Sequence, residues 1–327
     1  MRIVNEKQLT SLMDMKEIIQ RVEVALEEYS SGRTNTPIRT ALPYDDEQNT
    51  ALFMPSVADG LQKIGVKVVT VAPNNKDLGK KLINGFVALS DYKTGEPVAI
   101  LEGSYLTMIR TGAISGVATK YLAKQNATTL AIIGTGEQAF GLAAAVFATR
   151  DITDVHLYNR SKEKAEAFAH KLQHDLSQPA NVHFHDQADD AVTHAEIIVT
   201  ATNSSTPVYN ASLQPGTHVN AVGSFRPTMQ ELPTHTVTDA HKVVVEAVDA
   251  ALEETGDLIT PIENGDYQVN QIHGELGKIV SGELSCREHD EEITVFKSVG
   301  LAIVDIVVAN YFYEKAIDTN TGTDVDF

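Results

Sequence analysis

The stretch TLAIIGTGEQAFGLAAAVFATRDITDVHLYNRS, Thr129 to Ser161, joins an apolar run to a glycine-rich turn and then to an alanine-rich segment. Its first apolar residues predict a buried strand, and the alanine-rich part predicts a helix. Gly134, Gly136 and Ala139 stand between them, at the three positions of the dinucleotide-binding fingerprint. The first glycine permits a tight turn, the second lets the backbone approach a pyrophosphate, and Ala139 keeps the helix close to the strand. The stretch therefore predicts a strand, turn and helix that bind a dinucleotide.

The residues after this turn continue the alternation of strands and helices. The apolar runs DVHLYN, EIIVTAT, HVNAVG and KVVVEA are separated by longer segments, an arrangement typical of parallel strands with helical crossovers. We therefore expect a doubly wound α/β domain.

The rest of the chain has a different pattern. Residues 36–102 carry short apolar runs broken by Gly, Asn, Asp and Pro, which predict antiparallel hairpins, and residues 14–31 have the apolar spacing of an amphipathic helix capped by Asp14. ITVFKSVGLAIVDIVVANYFYEKA is predicted to form a helix that packs on the first domain, and DTNTGTDVDF is predicted to be a frayed tail. The expected domains are 1–113 with 292–327, and 114–291.

Composition limits the class of protein. The chain has 327 residues, 43% hydrophobic and 21% charged, which is typical of a globular protein of two domains. A formal charge of −18 argues against nucleic acid or an anionic membrane as a partner. No apolar run is as long as a membrane span, which needs about eighteen residues, and MRIVNEKQLT lacks the basic and then apolar pattern of a signal peptide. We therefore expect a cytoplasmic protein.

The sequence offers little for a disulfide or a metal site. Cys286 is the single cysteine and has no internal partner. His183 and His185 would share one face of a strand without a third ligand. We interpret this pair as a solvated strand edge and predict no metal.

The end of the second strand of the dinucleotide-binding unit indicates which cofactor is bound. An acidic residue there would bind the ribose 2′-hydroxyl and indicate NAD. The sequence has Asn159, Arg160 and Ser161 instead. Because a guanidinium can bind a 2′-phosphate through two charge-assisted hydrogen bonds, we favour NADPH over NADH. The alternative is that Arg160 is a solvated residue at a helix start.

Three cations of the first domain are candidates for binding an acidic substrate, because an acidic protein needs a local basic site to hold an anion. They are Arg39 in TPIRTALP, Lys67 in KIGVKVV and Arg110 in LTMIRTGAIS. Arg39 could instead be an edge-strand charge, and Lys67 could lie on the solvent face of a strand. Arg110 enters a segment rich in small residues that would let backbones pack closely.

Several sequence motifs, spread in order over nearly the whole chain, carry a resemblance to a known family. They are PIRTALP, ALFMPSVAD, GVKVVTVAPNN, NGFVALSDYKTGEPVAILEG, LTMIRTGAISGVATKYLA, IIGTGEQA, VNAVGSFRPTMQELP and TVFKSVGLAIVD. In this order the chain resembles the ornithine cyclodeaminase and mu-crystallin family. The resemblance implies a homodimer whose chains have a Rossmann domain and an α+β substrate-binding and dimerisation domain, with a C-terminal helix that returns to the latter. The family includes ornithine cyclodeaminases, ketimine reductases, Δ1-pyrroline-2-carboxylate reductases and alanine dehydrogenases.

The resemblance also implies roles for individual residues. Arg39 and Arg110 would clamp the substrate carboxylate, and Lys67 would bind substrate beside the reacting nitrogen and carbon as the catalytic proton donor or polarising group. The residues implied in cofactor binding are Thr111, Gly134, Thr135, Gly136, Glu137, Gln138, Ala139, Asn159, Arg160, Ser161, Ala201, Thr202, Val222, Gly223 and Ser298.

One position separates the activities of the family. Its cyclodeaminases place a catalytic aspartate two residues after the glycine that matches Gly223, where this chain has Phe225. A phenyl ring cannot accept a proton, so ring closure of ornithine is disfavoured, and SFRP and NRS look more like the mu-crystallin and imine reductase branch. Arg226 could add a contact to nucleotide or substrate.

We therefore expect an NADPH-dependent reductase that transfers a hydride to the C=N carbon of small cyclic imino acids. Three alternatives stay open: ornithine cyclodeaminase with tightly held NAD, alanine dehydrogenase, and a crystallin-like protein that binds NADPH without turnover.

Overall fold

The structure is a computed structural model, and it describes residues 1–46, 49–176 and 180–326. Up to residue 122 the elements are, in chain order, β1 (Arg2–Val4), α1 (Glu6–Leu12), α2 (Met15–Ser30), β2 (Thr34–Asn35), β3 (Thr40–Tyr44), β4 (Asn49–Ala58), β5 (Lys63–Val71), a 3-10 helix (Pro73–Leu78), β6 (Ile83–Ser90), β7 (Pro97–Glu102) and α3 (Gly103–Leu122). After it come β8 (Thr129–Ile133), α4 (Ala139–Thr149), β9 (Asp154–Tyr158), α5 (Lys162–Asp175), β10 (Asn181–Phe184), α6 (Ala188–Thr193), β11 (Ile197–Thr200), β12 (His218–Ala221), α7 (Thr234–Thr238), β13 (Lys242–Val245), α8 (Val248–Glu254), α9 (Gly256–Glu263), a second 3-10 helix (Val269–Gln271), β14 (Gly274–Glu275), α10 (Leu276–Val280), β15 (Thr294–Lys297), α11 (Ala302–Asp318) and β16 (Thr323–Asp324).

The chain forms two compact units. One contains Met1–Arg110 and the residues from Leu301 onward, and the other contains Thr111–Gly300. The boundary predicted between residues 291 and 292 is wrong, because β15 pairs with β12 and β13 in the sheet of the second unit. The sequence pattern predicts TVFKS as part of the helix that follows it. In the structure, its β-branched residues belong instead to the buried strand β15.

The first unit is built on a mixed sheet, in which strands β2 to β7 pair antiparallel, as the turn-rich sequence predicts, and β1 pairs parallel with β7. The strand order is β16-β1-β7-β6-β5-β4-β2, and β3 pairs with β4. α2 begins after the predicted cap Asp14, whose carboxylate accepts hydrogen bonds from the first turn. α11 packs against α2 and the central strands β4, β5 and β6. The predicted return of the C-terminal helix to the first domain is therefore confirmed.

The expectation of a frayed tail is wrong. β16 pairs antiparallel with β1, and Arg2 binds the Asp324 carboxylate through Nε at 2.8 Å and Nη2 at 2.7 Å. Gly322, with φ of +107°, allows the turn that brings this strand beside β1. An edge strand exposes unpaired backbone groups, and the polar tail satisfies them.

The second unit contains the doubly wound sheet. Its strand order is β10-β9-β8-β11-β12-β15-β13-β14, and every pairing among these strands is parallel. The predicted α/β class is thus confirmed. The order reverses between β8 and β11, and ligands of such folds bind beyond the carboxyl ends of the strands at this switch point.

Small residues allow the close helix packing that the sequence predicts around Arg110. A Cβ on Gly112 would overlap the carbonyl oxygen of Gly141 in α4, so only glycine fits there. In the parts of the chain that the structure describes, none of the helices has both the length and the apolar character of a membrane span.

Candidate active site

Three ionisable side chains of the first unit meet in its interior. Lys67 Nζ and Arg110 Nε each lie 2.9 Å from Asp305 Oδ1. The exposed fraction is 2% for Lys67, 7% for Arg110 and 0% for Asp305. Lys67 donates a hydrogen bond to the carboxylate, whereas Arg110 Nε is at ion-pair distance without hydrogen-bond alignment. One carboxylate therefore balances two buried cations, and these three groups carry an excess of one positive charge.

The strand register explains why Lys67 is buried. It pairs with Met54 on β4 and Val87 on β6, which are both buried, and it shares the inner face of β5 with Val69 and Val71. This is the face on which α11 packs. The alternative that Lys67 lies on the solvent face of its strand is therefore wrong.

Burial and neighbouring charges alter the pKa of Lys67. Loss of hydration is the largest cause; the Asp305 carboxylate opposes it and the Arg110 and Arg39 guanidiniums reinforce it, and together these effects lower the pKa of Lys67 from 10.5 to about 8. Arg39, half-buried just before β3, is thus within electrostatic reach of Lys67. A lysine with a pKa near 8 can exchange a proton close to neutral pH.

Asp305 was missing from the candidate residues. It is the one acidic residue in the strongly apolar run LAIVDIVVAN of α11. A carboxylate that a helix buries needs a cationic partner, so this isolated charge was a usable signal. Its Oδ2 atom is buried and has no hydrogen-bond partner among the described residues.

In the second unit, the glycine turn has the geometry that its sequence predicts. Gly134 has φ of +94°, and its N–H donates to the carbonyl of Tyr158 at 2.9 Å. A Cβ there would lie 2.6 Å from Thr202 Cγ2. Gly136 has no atom nearer than 4.0 Å to a built Cβ, so its surroundings are open. The turn therefore leaves room for a ligand above the second glycine.

Unpaired polar atoms line this turn. Thr135 Oγ1 and Gln138 Oε1 are buried and have no hydrogen-bond partner among the described residues. Gln138 is the N-cap residue of α4, which begins at Ala139 and whose N-terminal amides favour an anion. A dinucleotide pyrophosphate fits these residues, because it brings negative charge to the helix N-terminus and acceptors to the open side of Gly136. Glu137 is exposed beside them.

Asn159 connects the glycine turn to the loop at the predicted ribose position. Its Oδ1 accepts from the Thr135 N–H at 3.2 Å, and its Nδ2 donates to the Ser161 carbonyl at 2.9 Å. Ser161 caps α5. Arg160 lies between them with an exposed side chain, so both interpretations of Arg160 remain predictions.

The remaining cofactor candidates of this unit lie near the ends of its strands or in α3. Thr111 is buried in α3, Ala201 and Thr202 follow β11, and Val222 and Gly223 follow β12. Ser298 follows β15 and donates its hydroxyl hydrogen bond to Glu246 at 2.8 Å. Downstream of Gly223, the exposed Arg226 guanidinium lies 5.7 Å from the centre of the Phe225 ring.

The two histidines of HFHD do not stand alone. His183 stacks on His156 with ring centres 4.8 Å apart, and His156 Nδ1 lies 2.9 Å from His185 Nε2. His194 also stacks on His156. Burial, followed by the neighbouring imidazoles, lowers the pKa of His156 to about 4. Throughout the described ranges, no three His, Cys, Asp or Glu side chains are arranged to hold a metal ion.

Comparison with known proteins identifies the family. The family model named "Ornithine cyclodeaminase/mu-crystallin family" matches residues 2–320. The chain belongs to this family. A Δ1-pyrroline-2-carboxylate reductase of Bacillus cereus is 60% identical to this chain over 327 residues, and the alignment covers 100% of each protein.

Two solved structures of the family resemble the whole chain. The Δ1-pyrroline-2-carboxylate reductase of Thermococcus litoralis, in complex with NADH and L-proline, is 36% identical with a TM-score of 0.94, covering 99% of this chain and 100% of that one. An archaeal alanine dehydrogenase dimer with bound NAD is 32% identical with a TM-score of 0.91, covering 100% and 99%. The predicted family and fold class are confirmed.

Proposed function

We propose that this chain is an NADPH-dependent reductase of small cyclic imino acids, of the Δ1-pyrroline-2-carboxylate reductase type. The observation that carries the proposal is the buried lysine with a pKa of about 8, held by Asp305 next to Arg110. The full-length identity of 60% to a reductase of that name supports the substrate class.

The first unit supplies the groups that bind and protonate the imino acid. Arg39 and Arg110 bind the carboxylate, since a guanidinium matches its planar geometry. The excess positive charge of Lys67 and Arg110 over Asp305 favours an anion there. Lys67 donates a proton to the imine nitrogen, which makes the C=N carbon more electrophilic. The product is a cyclic secondary amine such as proline.

The second unit holds the nicotinamide cofactor. Gly134, Gly136 and the N-terminus of α4 bind the pyrophosphate, and the loops after β11 and β12 line the rest of the site. A bound reduced nicotinamide supplies the hydride that the C=N carbon receives. Arg160 binds the 2′-phosphate, because none of the residues in NRS is a carboxylate that would compete for its guanidinium. This contact makes NADPH the preferred donor over NADH.

We also propose that the first unit forms a homodimer. Phe53, Val68 and Phe86 stand side by side on the face of the sheet opposite to Lys67. Phe53 and Phe86 are 37% and 41% exposed. Because apolar side chains on adjacent strands form a continuous surface, a second copy of the chain is the partner it fits. The dimer of the related alanine dehydrogenase supports this assembly.

The test is a steady-state assay of NADPH and NADH oxidation with Δ1-pyrroline-2-carboxylate and Δ1-piperideine-2-carboxylate. We expect turnover of at least one imino acid, with a higher kcat/KM for NADPH. Absence of turnover with both imino acids would refute the proposal. Turnover with pyruvate and ammonium instead would establish alanine dehydrogenase, and ammonia release from ornithine without net cofactor use would establish a cyclodeaminase. Saturable NADPH binding without any turnover would indicate the binding protein.

A further inference from the structure

Glu231 is a buried carboxylate that no step of the proposed reaction uses. Its side chain is 0% exposed. Oε1 accepts from the Thr202 N–H at 2.6 Å, and Oε2 accepts from the N–H groups of Gly223 at 2.6 Å and Ser224 at 3.0 Å. The Thr200 hydroxyl donates to Oε2 at 3.2 Å. One carboxylate thus holds the backbone of the two loops that follow β11 and β12.

A second buried carboxylate holds Glu231 in place. Asp257 Oδ1 accepts from the N–H groups of Glu231 at 2.7 Å and Leu232 at 2.9 Å. Its Oδ2 lies 2.9 Å from Lys297 Nζ, at the end of β15. Burial raises the pKa of Glu231, while the Lys297 ammonium and the hydrogen bonds from Thr202 act in the opposite direction. The chain of contacts links the carboxyl ends of three neighbouring strands, β11, β12 and β15.

The two loops are packed too closely to tolerate much movement. A Cβ on Gly223 would overlap the Thr202 carbonyl oxygen and lie 2.5 Å from the Glu231 side-chain carbon Cδ. The Ala201 carbonyl oxygen, in the first of these loops, lies 2.8 Å from the Cβ position of Gly134. Contacts made by Glu231 therefore fix the backbone on which the glycine turn rests.

We infer that Glu231 is a positioning residue for the nicotinamide cofactor. It acts through Thr202 and Gly223, which the family resemblance places in the cofactor site, and the inference rests on the proposed function. Preformed loops lose little conformational entropy when a ligand binds. Without the carboxylate, three backbone N–H groups lose their acceptor, and the loops must be ordered by the cofactor itself.

The experiment compares E231Q with the wild-type chain. Glutamine keeps the size of the side chain but directs an amide N–H₂ at N–H donors. We expect the dissociation constant for NADPH, measured by titration calorimetry without substrate, to rise about tenfold, as unsatisfied buried donors predict. KM for NADPH should rise by the same factor and kcat should change less. E231D, which keeps the charge, should bind NADPH with intermediate affinity.

D189N is the matched control. Asp189 Oδ1 also accepts two backbone N–H bonds, from Asn210 at 2.6 Å and Ala211 at 3.0 Å, in the same unit but at none of the candidate cofactor residues. A purely structural role would lower the Tm of D189N and E231Q while leaving NADPH affinity unchanged in both.

Wild-type affinity in folded E231Q would overturn the inference. If E231Q does not fold, E231D decides in its place, since wild-type affinity of that variant would overturn it equally. Failure of the wild-type chain to bind either nicotinamide cofactor would instead refute the proposed function, so the two failures are distinguishable.

Discussion

Replacing Asp305 by Asn should move the alkaline limb of the pH–rate profile to lower pH. The amide keeps the size of the carboxylate but removes the negative charge 2.9 Å from both Lys67 Nζ and Arg110 Nε. Lys67 then faces the Arg110 and Arg39 cations without the compensating carboxylate, and protonating its amine becomes harder. The pKa of Lys67, which is about 8 in the wild-type chain, must therefore fall.

The geometry limits the size of this change. Coulomb's law at 2.9 Å with an effective dielectric constant of about 20 gives roughly 6 kcal/mol, or about four pKa units, as a ceiling. The amide oxygen still accepts a hydrogen bond and the site relaxes, so we expect about half of this, a fall of about two units. At pH 7.5 the protonated fraction of Lys67 would drop from roughly three quarters to roughly 3%, about a 25-fold loss of rate.

The assay measures kcat/KM for Δ1-pyrroline-2-carboxylate from pH 5.5 to 9.5 with saturating NADPH. Titration of the substrate is the same for both enzymes and cancels in their ratio, so the difference in the alkaline limb reports on the enzyme. The control is D324N, which removes the partner of Arg2 in the same unit and should leave the limb unchanged. An alkaline limb at the same pH in D305N and wild type would refute Lys67 as the titrating acid.

Four further predictions concern catalysis, cofactor choice, stability and assembly. K67A should lower kcat by on the order of a hundredfold or more without changing NADPH affinity, whereas K63A on the same strand should leave kcat unchanged. An effect of K67A confined to KM would make Lys67 a binding residue. R160A should raise KM for NADPH about tenfold and leave KM for NADH unchanged; equal changes would contradict the 2′-phosphate contact. Burial lowers the pKa of His218 from 6.5 to about 3, so below pH 6.5 the unfolded chain binds a proton that the folded chain does not. His218 should therefore contribute roughly 2 kcal/mol to the fall in the free energy of unfolding in urea between pH 7.5 and 5, and the fall in a folded H218N variant should be smaller by that amount. F86D should convert a dimer to a monomer in analytical ultracentrifugation; an unchanged mass would contradict the proposed interface.

The features that the sequence predicted well are local ones. The glycine turn, the capped helix α2 and the parallel strands each depend on residues that are close along the chain, where period and turn chemistry act directly. Gly134 needs its positive φ because of the turn it makes, and this is visible in the fingerprint itself.

The features that it missed depend on pairing between distant segments. Lys67 and Asp305 are 238 positions apart, and Arg2 and Asp324 are 322 apart. Spacing patterns carry no information on such pairs, so Lys67 could be assigned to either face of its strand. The strand register, which places Lys67 on the face covered by α11, shows that its side chain is buried.

Local charge balance explains how an acidic protein can hold an acidic substrate. The net charge of −18 is a property of the whole chain, but a buried group responds mainly to its nearest partners, because solvent screens the distant ones. Lys67 and Arg110 share the single carboxylate of Asp305, and Arg39 adds a further cation within reach. In the proposed binding mode, a substrate carboxylate would bring the charge that this group of residues lacks. Binding of the imino acid would therefore improve the charge balance of the site and, by placing an anion near Lys67, favour the protonated amine that the proposed reaction requires.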